Sequence, residues 1–152
     1  MSNHIFDSAN IQWKTLGNFE HLLYSILDID EQNKIIDVVF KFAAQQQIVL
    51  HRHKVLNKTF VIQGEHRLYH ADGRLKEIRP VGSYKSSLPT DEPHREGGGD
   101  QDAIVFFSIR GHDSVFYEIL DDDWNIIATL GMQDFIDLHK TQTQVTVSDQ
   151  HL

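Results

Sequence analysis

Short apolar runs alternate with polar positions along this chain, and turn residues interrupt them roughly every ten positions, the spacing of an all-β domain. Tyr24 and Ile26 share one parity against Ser25, Leu27 and Ile29. Polar Glu31-Gln32-Asn33-Lys34 follows, and Ile35 to Phe42 returns, which predicts strand, turn, strand. A helix through 31–46 is the competing reading, because Ile35, Ile36, Val39, Phe40 and Ala43 also fit a 3.6 period. The β-branched content favours strand. Further strands are predicted over 48–53, 58–62 (ended by Gly64), 65–70 (ended by the Asp72-Gly73 hairpin signal), 75–78, 103–110, 114–120 and 124–128. Residues 83–87 read as extended. Residues 92–100, with Gly97-Gly98-Gly99, read as a loop, and 135–140 as a short C-terminal helix. Residues 1–20 read as an irregular arm anchored by Ile5, Phe6, Trp13 and Leu16, with the domain proper over 21–140 and a flexible tail over 141–152.

Composition narrows the function classes. A chain of 152 residues suits one domain with one core. Its formal net charge of -8, with no basic run, disfavours nucleic acid as a partner. The absence of cysteine removes disulfides, thiolate metal sites and cysteine nucleophiles together. The N-terminus has no apolar core of a secretory signal, and no apolar stretch approaches the length of a membrane span, so a soluble cytoplasmic protein is expected. Histidine is the outlying residue type, with ten in the chain.

Two of the ten stand out by spacing. His51 and His53 are two apart, and in a strand both imidazoles project from one face while Arg52 projects from the other. Alone, this pair reads as strand histidines without further role. The surrounding pattern adds to it: His51-x-His53-x3-Asn57-x6-Gly64 resembles the first motif of the cupin superfamily, and Gly82-x6-Pro89-x-Asp91-x2-His94 resembles the second. Gln45 stands where the first motif opens with glycine, and Asn57 where it carries glutamate. Asp91, a residue that tolerates left-handed backbone, stands for the second motif's glycine, and Gly98 for its final asparagine. The resemblance implies a single-domain jelly-roll barrel, the double-stranded β-helix, with the predicted helix at its C-terminus. It also implies a divalent metal held by His51, His53 and His94.

Three neutral imidazoles suit iron, zinc, nickel or copper and leave positions open for an anionic oxygen ligand. The layout is similar to the three-histidine branch that includes acetylacetone and dihydroxyacetophenone dioxygenases. That likeness implies Fe(II), O2 and carbon–carbon cleavage of a small diketone-like or hydroxyketone-like substrate. A zinc-binding sensor without turnover is the alternative, and a homodimer is expected, as cupins often pair.

Asn57, Glu96, Tyr69 and Tyr84 are candidates to hydrogen-bond around the metal. Glu92 and Glu96 flank His94 and offer a hydrogen-bonding partner or a spare ligand, with solvated loop carboxylates the preferred reading for both, and Phe60, Phe106 and Phe107 read as barrel core. His66 and His70 read as surface residues, and His4, His21, His112, His139 and His151 have no motif support. Asp121-Asp122-Asp123 lacks the spacing of a calcium loop and reads as a hairpin turn.

Overall fold

The computed structural model describes residues 7–150, with side chains through residue 143, so Ile5, Phe6, His4 and His151 lie outside the described residues. The strands are β1 (Lys14–Thr15), β2 (Leu22–Asp30), β3 (Ile35–Phe42), β4 (His51–His53), β5 (Leu56–Gln63), β6 (His66–Tyr69), β7 (Leu75–Arg79), β8 (Tyr84–Ser87), β9 (Arg95–Gly97), β10 (Ala103–Arg110), β11 (Tyr117–Leu120) and β12 (Ile126–Leu130). Among the described residues a 3-10 turn (Ser8–Asn10) precedes the strands and one α-helix, α1 (Met132–Gln150), follows them. The hairpin reading of 22–42 is therefore the observed one, and the helix over 31–46 does not form.

Antiparallel pairing builds a six-stranded sheet in the order β1-β2-β3-β10-β5-β8. The opposing layer joins β12-β11-β4 to β7-β6-β9 through an isolated antiparallel bridge between His51 and His94. The core lies between the layers. Tyr24, Phe40, Val105 and Val61 form one cross-strand row on the inner face of the large sheet, and Ile26, Val38, Phe107 and Thr59 form the next. Strand alternation sends the intervening residues outward. So Phe60, expected in the core, is 43% exposed, and Phe106 beside it is only half-buried; Phe107 alone of the three is buried core.

Two other expectations change. Residues 92–100 are not all loop: β9 pairs with β6, and Gly97 lies so close to the Gln46 carbonyl that a Cβ would collide with it. The helix is longer than 135–140 and runs on to Gln150, into the stretch expected as a tail. It buries Phe135 against Phe116, and Gln142 bonds both the N–H and the C=O of Ile26, at 3.0 Å each, along the β2 edge beyond its short pairing with β1. No helix of the described residues is long and apolar enough to cross a membrane.

Left-handed backbone occurs at Gln45 (φ +59°), where the resembled motif has glycine, and not at Asp91. Gly64 is also left-handed (φ +70°), and a Cβ there would sit 2.8 Å from the Asp102 backbone oxygen. Gly64→Ala should therefore lower stability by at least about 1 kcal/mol, and by more than Gly17→Ala, whose Cβ would meet nothing within 4 Å. Denaturant midpoints of the two variants check this, and equal midpoints would contradict it.

Candidate metal centre

The site is a product of strand alternation in four neighbouring segments. His51 and His53 both face inward from β4 and are buried. Across the ladder, Tyr117 of β11 lies opposite His53. On the other side of β4, His51 and His94 exchange two backbone hydrogen bonds (3.1 and 2.9 Å), so their side chains share a face. Glu96 lies two residues beyond His94 and shares that face as well. From the opposing sheet, β5 points Asn57 and Thr59 inward toward the same space.

The three histidines of the resembled motifs are thus brought together: the rings of His51 and His94 are 4.8 Å apart, and those of His53 and His94 are 6.2 Å apart. At their centre is Glu96, a buried carboxylate rather than a solvated loop residue. Its Oε2 lies 2.6 Å from His51 Nε2 and 3.5 Å from His94 Nε2, and its Oε1 accepts a 2.7 Å hydrogen bond from His66 Nε2. His66, expected at the surface, is fully buried. Glu96 is buried because 95–97 forms a strand where a loop was expected, and His66 because the expected strand over 65–70 turns that side chain inward.

The other candidates divide. Asn57 reaches the site, where its Nδ2 donates to the Tyr117 hydroxyl at 2.7 Å and its Oδ1 has no partner. Tyr69 and Tyr84 do not reach it: Tyr69 stands on the opposite face of β6 from His66 and Leu68, and Tyr84 pairs with outward Phe60 and is 57% exposed. Tyr117 was not legible as a site residue, because its place depends on the β4–β11 pairing and no local pattern marks it.

Electrostatics follow from burial and from the central carboxylate. Burial pushes the Glu96 carboxyl up, yet hydrogen bonds from His51, His66 and His94 outweigh it and hold the group well below the usual carboxylate range. Burial pushes His51 down, but its bond to Glu96 lifts it net above its ordinary value. His53 and His94 are lowered, chiefly by burial, which keeps them neutral. Burial, with the Glu96 charge, pushes the Tyr117 phenol up, so it stays protonated.

This donor set fits a divalent cation. His51 Nδ1 donates to the Val49 carbonyl and His53 Nδ1 to the Val55 carbonyl, each at 2.8 Å, which turns both Nε2 lone pairs inward. Two acceptors, the His51 Nε2 lone pair and Glu96 Oε2, then meet at 2.6 Å, a contact that needs a proton or a metal between them. Ligand atoms of His51, His94 and Glu96 all lie within 4.8 Å of one another. Two small chambers meet here and share His51, Glu96, Phe107 and Tyr117. One, of about 50 Å³, is walled by apolar side chains such as Leu22, Phe40, Ile119 and Phe135. The other, of about 30 Å³, adds Asn57, Thr59, Arg79 and Ser87.

No family model matches the chain, and no curated protein matches it. Solved structures do. An RmlC-like cupin protein from Ralstonia eutropha superposes with a TM-score of 0.73 at 18% identity, over 95% of this chain and 89% of that one. The chain has the cupin fold. An acetylacetone dioxygenase from Acinetobacter johnsonii shares the fold at TM-score 0.62 and 13% identity, over 93% of each chain. The polyketide cyclase RemF from Streptomyces resistomycificus shares it at 0.54 and 15%, over 87% and 86%. Within this fold, the group that could hold a divalent metal includes His51, His94 and Glu96, and Glu96 comes from a position that the resembled motifs do not assign.

Proposed function

We propose that this cupin is a mononuclear non-haem Fe(II) dioxygenase acting on a small 1,3-dicarbonyl or hydroxyketone, with His51, His53, His94 and Glu96 holding the metal. The observation that carries the reading is the convergence of inward imidazole lone pairs on one buried carboxylate, between a polar and an apolar chamber. The shared fold of an acetylacetone dioxygenase supports the choice of chemistry. For a 1,3-diketone, O2 is the oxidant: one carbon–carbon bond breaks, and both oxygen atoms leave in a carboxylic acid and a dicarbonyl fragment.

Bound Fe(II) would supply Lewis acidity toward the enolate oxygens and the electrons that let O2 react. The chain's own groups bind and orient. The Tyr117 hydroxyl accepts from Asn57 Nδ2, which leaves its own proton free for a substrate oxygen. Arg79, bonded to Glu77 and reaching the Thr59 hydroxyl at 3.5 Å, places positive charge at the polar chamber, which favours an enolate over a neutral ketone. The apolar chamber takes the substrate's alkyl end and keeps water from it.

The test is elemental analysis of freshly purified wild type beside His94→Ala, with oxygen uptake on a panel of 1,3-dicarbonyls and hydroxyketones. Near-stoichiometric iron in wild type only, with oxygen consumed, is expected. Stoichiometric iron without oxygen uptake would count against the dioxygenase, and tight zinc without turnover would mark a binding module instead.

A further inference from the structure

His66 belongs to neither resembled motif, yet it is fully buried, and a buried imidazole demands a partner. It has one. On the β6–β9 ladder Leu68 lies directly opposite Glu96, which places His66 diagonal to Glu96 on the same face, within reach of two long side chains. His66 Nε2 meets Glu96 Oε1 at 2.7 Å, while its Nδ1 has no partner. Its ring plane is set by apolar neighbours: Phe42 stacks on it at 5.1 Å and Phe107 stands across it at 6.1 Å. Of the ring's two nitrogens, only the one facing Glu96 has a task.

The carboxylate it meets is displaced from where the resembled motif carries one. Asn57 occupies that place, turns its amide to Tyr117 and brings no charge. The negative charge in the site comes instead from β9. A carboxylate so placed can rotate, and the site needs one oxygen to face the imidazoles. We propose that His66 is the positioning residue of the metal site, donating from Nε2 to Glu96 Oε1 so that Oε2 stays aimed at His51 and His94. An imidazole N–H suits the task, because one ring nitrogen held between aromatic neighbours fixes the carboxylate in a single orientation. The proposal rests on the metal-binding reading above.

Glutamine and asparagine at position 66 separate the donor from the packing. Glutamine carries its N–H near the place of Nε2, and asparagine near the place of Nδ1. Metal-stripped full-length wild type, His66→Gln, His66→Asn and His94→Ala are titrated with Co(II), read by visible absorption against a competing chelator, with thermal unfolding of each metal-free protein alongside. His66→Gln is expected to bind Co(II) nearly as wild type does. His66→Asn should bind about 10- to 100-fold more weakly, while the two variants unfold at similar temperatures. Equal Co(II) affinity of the two variants would overturn the positioning role while leaving the metal site intact. Wild type that takes up no more Co(II) than His94→Ala would overturn the metal reading, and this proposal with it.

Discussion

Glu96→Ala is expected to release the metal and to cost the metal-free protein about 3 kcal/mol of stability. Glu96 is the common acceptor of the buried cluster, with His66 on Oε1 and His51 on Oε2. Alanine strands the His66 N–H in an apolar setting, at about 1–3 kcal/mol for a buried donor left without a partner. It also removes the anion that holds the His51 proton. His51 can answer by releasing that proton, so the cost stays at the lower end of the roughly 3–5 kcal/mol typical of a buried ion pair broken with its charge left behind. Glu96→Gln, which keeps shape and one acceptor, should lose less stability and still bind metal poorly. Metal content and denaturant unfolding of both variants check this. Full metal retention in Glu96→Ala would show that the three motif histidines suffice as ligands.

The part of this site legible in the sequence is the part set by local spacing. His51-x-His53 on a β-rich stretch leaves little freedom: if the stretch is a strand, both imidazoles share a face, and they do. His94 was reachable through the second motif. Glu96 carried a similar signal, since His94-x-Glu96 repeats the spacing of His51-x-His53, but three following glycines and flanking charges masked the strand. What makes 95–97 a strand is non-local: the β6 ladder on one side, and on the other the Ile48 N–H donating to the Glu96 carbonyl at 2.8 Å. His66 and Tyr117 were hidden for the same reason, because each is defined by what lies across a ladder from it. The outward turn of Phe60 and Phe106 was legible in principle from alternation with Val61 and Phe107, once one side of the large sheet is taken as the inside. The fold as a whole was easier to read, because hairpins announce themselves by Asp-Gly and polar tetrads at fixed distances.

Without metal, the protein should be most stable near pH 6.5, the ordinary value of histidine, and should weaken on both sides. His51 is raised in the fold, so its contribution is complete below 6.5 and is lost as pH climbs through the folded value. His53 and His94 are lowered, so between their folded values and 6.5 the unfolded chain binds more protons, and stability falls with falling pH there. Glu96 adds to the acid side, because its depressed carboxyl gives stability above the ordinary 4.5 that disappears as pH drops through the folded value. Between pH 6.5 and 8.5 one proton is at stake, so the decline there can be no steeper than about 1.4 kcal/mol per pH unit. Saturating metal should remove that loss. A cation held by His51 and Glu96 would displace that proton, so the native state would no longer hold a proton that the unfolded chain lacks. The alkaline decline should then vanish, and metal affinity should rise with pH through the same range. Denaturant unfolding at pH 5.5, 6.5 and 8.5, with and without Zn(II), reads both effects. Metal-free stability that is flat from 6.5 to 8.5 would mean that no proton bridges His51 and Glu96, and that the 2.6 Å contact is made in another way.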